Sequence, residues 1–262
     1  MREFTEITAR ENKLIKQIRA LQSSARARRE NGLFVLEGLR ICTDALENRV
    51  HFLKLVVSKT AVQKYAQSIE EFSNNADMCY IVPDTLFAHI ADTDSPQGIL
   101  ALAPVPECDD EIAEDGRYIA LENVADPSNL GAVARTAEAL GADGIILTTG
   151  GCDPYSPKAL RASMGTLLRM PLFITDDVCA VAQKNGLRTL ACVPDSGAVP
   201  IGDIAFKDGD VLLIGNEANG LKPQTIAQSD IRVTIPMTGR AESLNAAAAA
   251  AIAMWEMLKG VV

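Results

Sequence analysis

Apolar positions first recur at helical spacing. Leu14, Ile15, Ile18 and Leu21 predict an amphipathic helix from about Thr8 to Ser23 with its basic side chains turned outward. The polar run "SARARRENG" after it reads as a loop. Short apolar segments then alternate with helical patterns: "LFVLEG" as a strand, "LRICTDALEN" as a helix, "FLKLVVS" as a strand, "KTAVQKYAQSIEEF" as a helix, "CYIVP" as a strand, a short helix after Asp84, and "GILALAPV" as a strand. This describes a small α/β module ending near Val105.

The segment "APVPECDDEIAEDG" combines prolines with a block of acids and reads as an interdomain linker, placed at 107–116 between a module at 1–106 and a larger region at 117–262. In that region the strands "YIALENV", "GIILTT", "PLFIT", "RTLACVP", "DVLLIGN" and "IRVTIP" are apolar throughout. Helical patterns such as "NLGAVARTAEALG", "SPKALRASMGTLL" and "DDVCAVAQKNG" separate them. Continuous apolar strands between helices indicate a parallel sheet covered on both faces, and such sheets bind ligands at the carboxyl ends of their strands.

Unusual polar residues gather at three of those ends. After "YIALEN" comes a turn with Asp126, Pro127 and Asn129, then a helix that carries Arg135 on its second turn. After "DVLLI", Gly215 and Gly220 bracket Glu217, where glycines let the backbone approach a ligand and a carboxylate can hold a sugar hydroxyl or a cation. After "VTIP", the loop "MTGRAE" leads to Ser243, Leu244 and Asn245 at the start of a long helix, with Ser243 a candidate N-cap. Each junction alone also fits an ordinary turn. Together they are expected to converge on one crevice for a small polar molecule.

Composition narrows the chemistry. No apolar run approaches the ~20 residues of a membrane span, and the N-terminus "MREFTEITARENK" is too charged for a secretory leader, so a cytoplasmic protein is expected. The six cysteines, Cys42, Cys79, Cys108, Cys152, Cys179 and Cys192, form no C-x-x-C pair, and the two histidines, His51 and His89, lie outside glycine-bearing polar turns. A zinc site, a disulfide framework or histidine-dependent nucleophilic catalysis is therefore not expected, and no metal is assigned. The net charge of −9 argues against nonspecific coating of nucleic acid. Yet Arg10, Lys13, Lys16, Arg19, Arg26, Arg28 and Arg29 face only one acid, Glu11, between Arg10 and Arg29, which marks a local surface for an anionic partner.

The ordered segments "DPSNLGAVARTAEALGADGIIL", "LLIGNEANGL" and "IPMTGRAESLNAAAAAAI" resemble the three signature motifs of the SpoU/TrmH family of RNA 2′-O-ribose methyltransferases, and "LRASMGTLLRMP" resembles that family's connecting region. The likeness spans about residues 117 to 258. More loosely, "LIKQIRALQSSARARRENGLFVLEGLRICTDAL" is similar to the ribosomal-protein-like substrate-binding module upstream in many members.

The resemblance implies an α/β fold: a C-terminal parallel-sheet SPOUT domain with a deep trefoil knot, an exception to unknotted connections, plus a small N-terminal RNA-binding domain. It implies a homodimer with the RNA site shared between subunits, and S-adenosylmethionine as methyl donor. Carried over by motif position, Gly215, Gly220, Ile235, Pro236, Met237 and Leu244 would line the donor pocket, and Asn129, Arg135, Glu217, Ser243 and Asn245 would serve catalysis. Arginine rarely deprotonates, which favours Arg135 as a phosphate grip that orients the ribose hydroxyl, with Ser243 or water relaying the proton. Arg10, Lys13, Arg26, Arg28 and Arg29 would contact RNA, ribosomal RNA of the large subunit ahead of transfer RNA.

Other readings are methylation of a base nitrogen by a related knotted enzyme, a noncatalytic RNA-binding protein of the same fold, and a nucleotide-dependent oxidoreductase. Ser243-Leu244-Asn245 favours the ribose class, the motif residues argue against a noncatalytic chain, and no G-x-G-x-x-G dinucleotide pattern is present. The six alanines from Ala246 favour helix and give it a narrow profile, so Ala248 and Ala249 are expected at close-packed positions.

Overall fold

A computed structural model describes residues 2–106 and 111–260. Cys108 and the first part of the 107–116 linker lie outside the described residues. Internal contacts divide the chain into two units, Met1–Pro106 with Tyr155–Leu168, and Glu107–Pro154 with Arg169–Val262.

In the first unit, strands β1 (Phe4–Glu6), β2 (Leu33–Glu37), β3 (Phe52–Ser58), β4 (Ala76–Val82) and β5 (Ile99–Pro104) form a mixed sheet in the order β1-β4-β3-β5-β2, with β5 antiparallel to both neighbours. Helix α1 begins at Lys13, not Thr8, because Asn12 caps it by accepting the Leu14 N–H at 2.8 Å. The residues before it instead supply edge strand β1. Ile15, Ile18 and Leu21 of α1 then pack on Val35, Val56, Leu100 and Leu102 of the sheet.

The expected loop "SARARRENG" is a helix, α2 (Ala25–Asn31), started by the Ser24 side chain and ended at Gly32. Helices α3 (Leu39–Glu47), α4 (Lys59–Lys64), α5 (Ala66–Asn74) and α6 (Asp84–Ile90) complete the module, and the single helix expected after Ser58 breaks at Tyr65. The stretch Tyr155–Leu168, read from sequence as part of the 117–262 region, belongs to this unit. Tyr155 packs its ring 5.2 Å from that of Phe34, and α8 (Pro157–Ala162) lies against β2. This helix is shorter than "SPKALRASMGTLL" suggests because Met164 takes a left-handed conformation, φ 52°, before a 3-10 turn at Thr166–Leu168.

The second unit is built on a seven-stranded, wholly parallel sheet of β6 (Tyr118–Leu121), β7 (Gly144–Thr148), β8 (Leu172–Thr175), β9 (Arg188–Cys192), β10 (Val199–Pro200), β11 (Asp210–Ile214) and β12 (Ile231–Thr234). Their order is β10-β12-β9-β11-β6-β7-β8. The central strands are buried on both faces, as their apolar sequences require. The surrounding helices are α7 (Pro127–Leu140), α9 (Val178–Lys184), α10 (Pro223–Gln228) and α11 (Ala246–Leu258).

Asn245, not Ser243, is the N-cap of α11: its Oδ1 accepts the Ala247 and Ala248 N–H groups at 3.0 and 3.2 Å. Ala246, Ala250 and Ala253 are the buried alanines of this helix, which packs on α7. Ala248 is exposed in the chain and Ala249 half-buried, so their expected close packing does not occur within this unit.

Candidate active site

The turns after β6 and β11 and the start of α11 meet at the carboxyl edge of the second unit's sheet. Asp126 caps α7 through the Ser128 N–H at 2.9 Å, with Pro127 in the first turn, and this places the buried Asn129 at the helix start. Across the edge, Asn216 and Gly220 exchange backbone hydrogen bonds of 3.0 and 2.8 Å, closing a five-residue turn that projects Glu217. A Cβ at Gly215 would lie 2.1 Å from the Gly220 carbonyl carbon, so that glycine is required by the turn itself.

Glu217 joins the loops. Its oxygens accept the Ala125 and Asp126 N–H groups, each at 3.0 Å, and the Asn129 Nδ2 at 2.7 Å. Burial works to raise the Glu217 pKa, but these hydrogen bonds prevail and hold it below the usual glutamate value. Asn129 Oδ1 in turn accepts from Asn245 Nδ2 at 3.1 Å. Because the Asn245 oxygen is committed to capping α11, its amide can face Asn129 only as a donor. The chain of bonds therefore has one sense, from Asn245 through Asn129 to Glu217.

Beside this network lies a cavity of about 500 Å³. Gly215, Gly220, Ile235, Met237 and Leu244 line it together with Ser243, whereas Pro236 and Asn245 do not. Met237 and Leu244 keep 37% and 38% of their surface exposed, an apolar wall that a bound molecule would cover. The end of β9 and the loop after it contribute Cys192, Val193, Pro194 and Asp195, which sequence reasoning missed. Its signal was available, since β9 ends at the same carboxyl edge as the motif strands. Burial pushes the Cys192 thiol up to about 12, so that side chain is neutral at physiological pH, while Asp195 pairs with Arg232 at 3.2 Å.

A mostly apolar cavity of this size, edged by exposed backbone and a few polar side chains, suits a flat heterocycle carrying a polar tail. The residues thus fit S-adenosylmethionine. Among the described residues no group of three or more histidine, cysteine or carboxylate side chains could hold a metal.

Arg135 stands apart from this assembly. Because α7 starts at Pro127, the arginine falls on the third turn, about 9 Å along the axis from Asn129. It is exposed and is not among the residues lining the cavity.

In the first unit, Arg10, Lys13, Arg26 and Arg29 are exposed, and Arg26 pairs with Glu30 at 2.7 Å. Arg28 contradicts the expected RNA contact. It is 5% exposed, and its guanidinium donates to the Leu21 and Gln22 carbonyls that end α1.

Comparison with known proteins identifies two stretches of the chain. Residues 116–255 match the SpoU rRNA methylase family, and residues 12–101 match the MRM3-like substrate binding domain. The chain is 27% identical to the 23S rRNA (guanosine(2553)-2′-O)-methyltransferase RlmP of Bacillus subtilis, over 96% of this chain and 98% of that protein. The AdoMet-bound structure of an rRNA methyltransferase from Sinorhizobium meliloti superposes with a TM-score of 0.88 and 30% identity over 99% of each chain. The SpoU methyltransferase AviRb of Streptomyces viridochromogenes, in complex with AdoMet, gives 0.85 and 26% over 96% of this chain and 98% of its own.

Proposed function

The chain belongs to the SpoU rRNA methylase family, and on that premise we propose that it methylates the 2′-hydroxyl of a ribose in 23S ribosomal RNA. The observation that carries this reading is the convergence of three motif loops around one apolar-walled cavity at the carboxyl edge of a parallel sheet. S-adenosylmethionine, when bound, supplies an electrophilic methyl group. Ile235, Met237 and Leu244 would cover its apolar faces, with the closed turn from Asn216 to Gly220 presenting backbone groups to its edges.

The chain's own residues divide the remaining work. Glu217, Asn129 and Asn245 are bonded to one another and to backbone, which suits them to hold the loops in register. Ser243 lines the cavity and is placed to relay the proton lost by the ribose hydroxyl, directly or through water. Arg135 grips the adjacent phosphate and orients that hydroxyl. Its exposed position away from the cavity supports a site completed by a second copy of the chain.

Exposed Ile252 and Trp255 lie with Ala248 along one side of α11 and support the same homodimer, in which the small alanines would let the helices approach. The trefoil knot belongs to this proposal as the threading of the C-terminal segment around the donor site. Arg10, Lys13, Arg26 and Arg29 of the first unit would hold the RNA. The structure has no helix long and apolar enough to cross a membrane among its described residues, in keeping with a cytoplasmic site of action.

The test is to map 2′-O-methyl groups in RNA from cells with and without the protein, and to assay the purified protein with labelled donor on 23S and transfer RNA. One ribosomal site is expected to disappear in the deletion and to be labelled in vitro. Labelling of transfer RNA alone would overturn the ribosomal assignment. Near-normal turnover by Arg135→Lys would overturn the oriented phosphate grip, because lysine keeps the charge but loses the planar fork.

A further inference from the structure

Behind the proposed catalytic loops sits a second cluster that no motif brought to attention. Asn123, the second residue after β6, has φ 54°, a left-handed conformation that non-glycine side chains rarely adopt. Its backbone N–H donates to Thr148 Oγ1 at 2.8 Å, and the Thr148 hydroxyl donates back to Asn123 Oδ1 at 3.0 Å. The Asn123 carbonyl accepts from Asn216 Nδ2 at 2.8 Å. Thr148, the last residue of β7, is 5% exposed. The amide it holds sits so close to Gly150 that a Cβ there would lie 2.4 Å from Asn123 Oδ1.

This clasp stands at a branch point of the site. On one side the chain runs from Asn123 directly into Ala125 and Asp126, the two N–H groups bound by Glu217, and then into α7 with Asn129 and Arg135. On the other, Asn216 opens the turn that carries Glu217, and its Oδ1 holds the Ala218 and Asn219 N–H groups beside the cavity. A threonine hydroxyl that both accepts and donates fixes the handedness of this corner, because each of its two bonds ends on the same residue.

We infer that Thr148 is a positioning residue for methyl transfer, fixing through Asn123 where α7 presents Asn129 and Arg135 relative to the donor cavity. The inference rests on the methyltransferase reading above. It predicts a defect in the chemical step, since small misplacements of an orienting group are costly there, while the walls of the donor cavity remain intact.

The experiment compares wild-type protein with Thr148→Val, Thr148→Ser and Asn123→Gly. Turnover and KM are measured on 23S RNA, donor affinity by calorimetry with S-adenosylmethionine, and melting by circular dichroism. Thr148→Val is expected to lower kcat about 100-fold with donor affinity within about twofold of wild type. Thr148→Ser, which keeps the hydroxyl, restores most of the rate. Should the valine variant fail to fold, Asn123→Gly accepts the left-handed corner without strain and loses only the side-chain half of the clasp, and its kcat is expected to fall about tenfold.

Valine or glycine variants with wild-type kcat would overturn the inference. So would a serine variant as slow as the valine one, or a loss of rate matched by equal losses of donor affinity and melting temperature. Wild-type protein that binds the donor but methylates no RNA would instead overturn the methyltransferase reading.

Discussion

The basic helices of the first unit and the motif loops of the second are both dense in polar side chains, but they spend that polarity differently. Across Arg26, Arg28 and Arg29, one guanidinium is turned inward onto the carbonyl end of α1, one pairs with Glu30, and Arg29 is exposed. In the loops, Glu217, Asn129 and Asn245 bond to one another, Glu217 and Ser243 line the cavity, and Arg135 is exposed and outside its lining. A cluster's charge or motif membership therefore does not say which of its members can meet a ligand. What decides it is which donors and acceptors the fold has already used.

The widest separation between the two regions is expected from Glu217→Gln. The amide cannot accept all three hydrogen bonds that the carboxylate holds, so one loop donor loses its acceptor and the loops lose register. A fall of about 100-fold in kcat/KM, near 2.7 kcal/mol, is expected in a methyl-transfer assay. The pH dependence has a definite sign. A carboxyl held below its ordinary value stabilises the fold in full above the glutamate range, and that stability is lost as pH falls through the lowered value. Acid should therefore narrow the melting-temperature gap between wild type and Glu217→Gln. A gap that widens in acid would show that the carboxylate does not lock the loops.

Arg28→Ala should come next, and through stability. It removes charge-assisted bonds to two carbonyls at the end of α1, worth about 2 kcal/mol together, visible as earlier denaturant unfolding of the first unit. If that variant unfolds like wild type but loses RNA affinity, Arg28 is available to ligand after all and the contrast with the loops collapses.

Legibility followed burial. The strands of the parallel sheet stood out because residues hidden on both faces must be apolar throughout, and their carboxyl ends marked the site. Edge strand β1, three residues long and mostly exposed, and the two-residue β10 carry no such pattern. Helix α2 escaped because it is defined by Ser24 and Gly32 at its ends and lacks an apolar stripe. Within the site, residue types at strand ends could be read, but their partners could not. That Glu217 would bind the Ala125 N–H, 92 residues away, depends on the order of strands in the sheet. The β9 loop, by contrast, follows a legible strand end on the same edge, and only its place beside the cavity depends on that order.

The alanine helix refines the comparison from the side of packing. Ala250 is fully buried on the helix that meets α7, so Ala250→Leu is expected to cost about 1–3 kcal/mol by overpacking. The effect should appear as a lower melting temperature in the protein without RNA. Ala248→Leu, at an exposed position, should leave chain stability unchanged and, if the proposed homodimer forms, act only on its content, measured by sedimentation. Equal melting of the Ala250 variant and wild type would show that the run needs helix propensity alone.

The smallest expected effect gives the clearest reading of the first unit. Arg29 is exposed on the same short helix as Arg28, so Arg29→Ala should leave unfolding unchanged. If its guanidinium neutralises one phosphate, RNA affinity falls several-fold at low salt, and the slope of log affinity against log salt becomes shallower by about one unit. Arg28→Ala should leave that slope where it was. The pair thus separates two arginines that are adjacent in sequence, one held by the fold and the other exposed. A slope that Arg29→Ala does not change would remove α2 from the RNA surface and leave Arg10 and Lys13, beside the start of α1, as the cations to test.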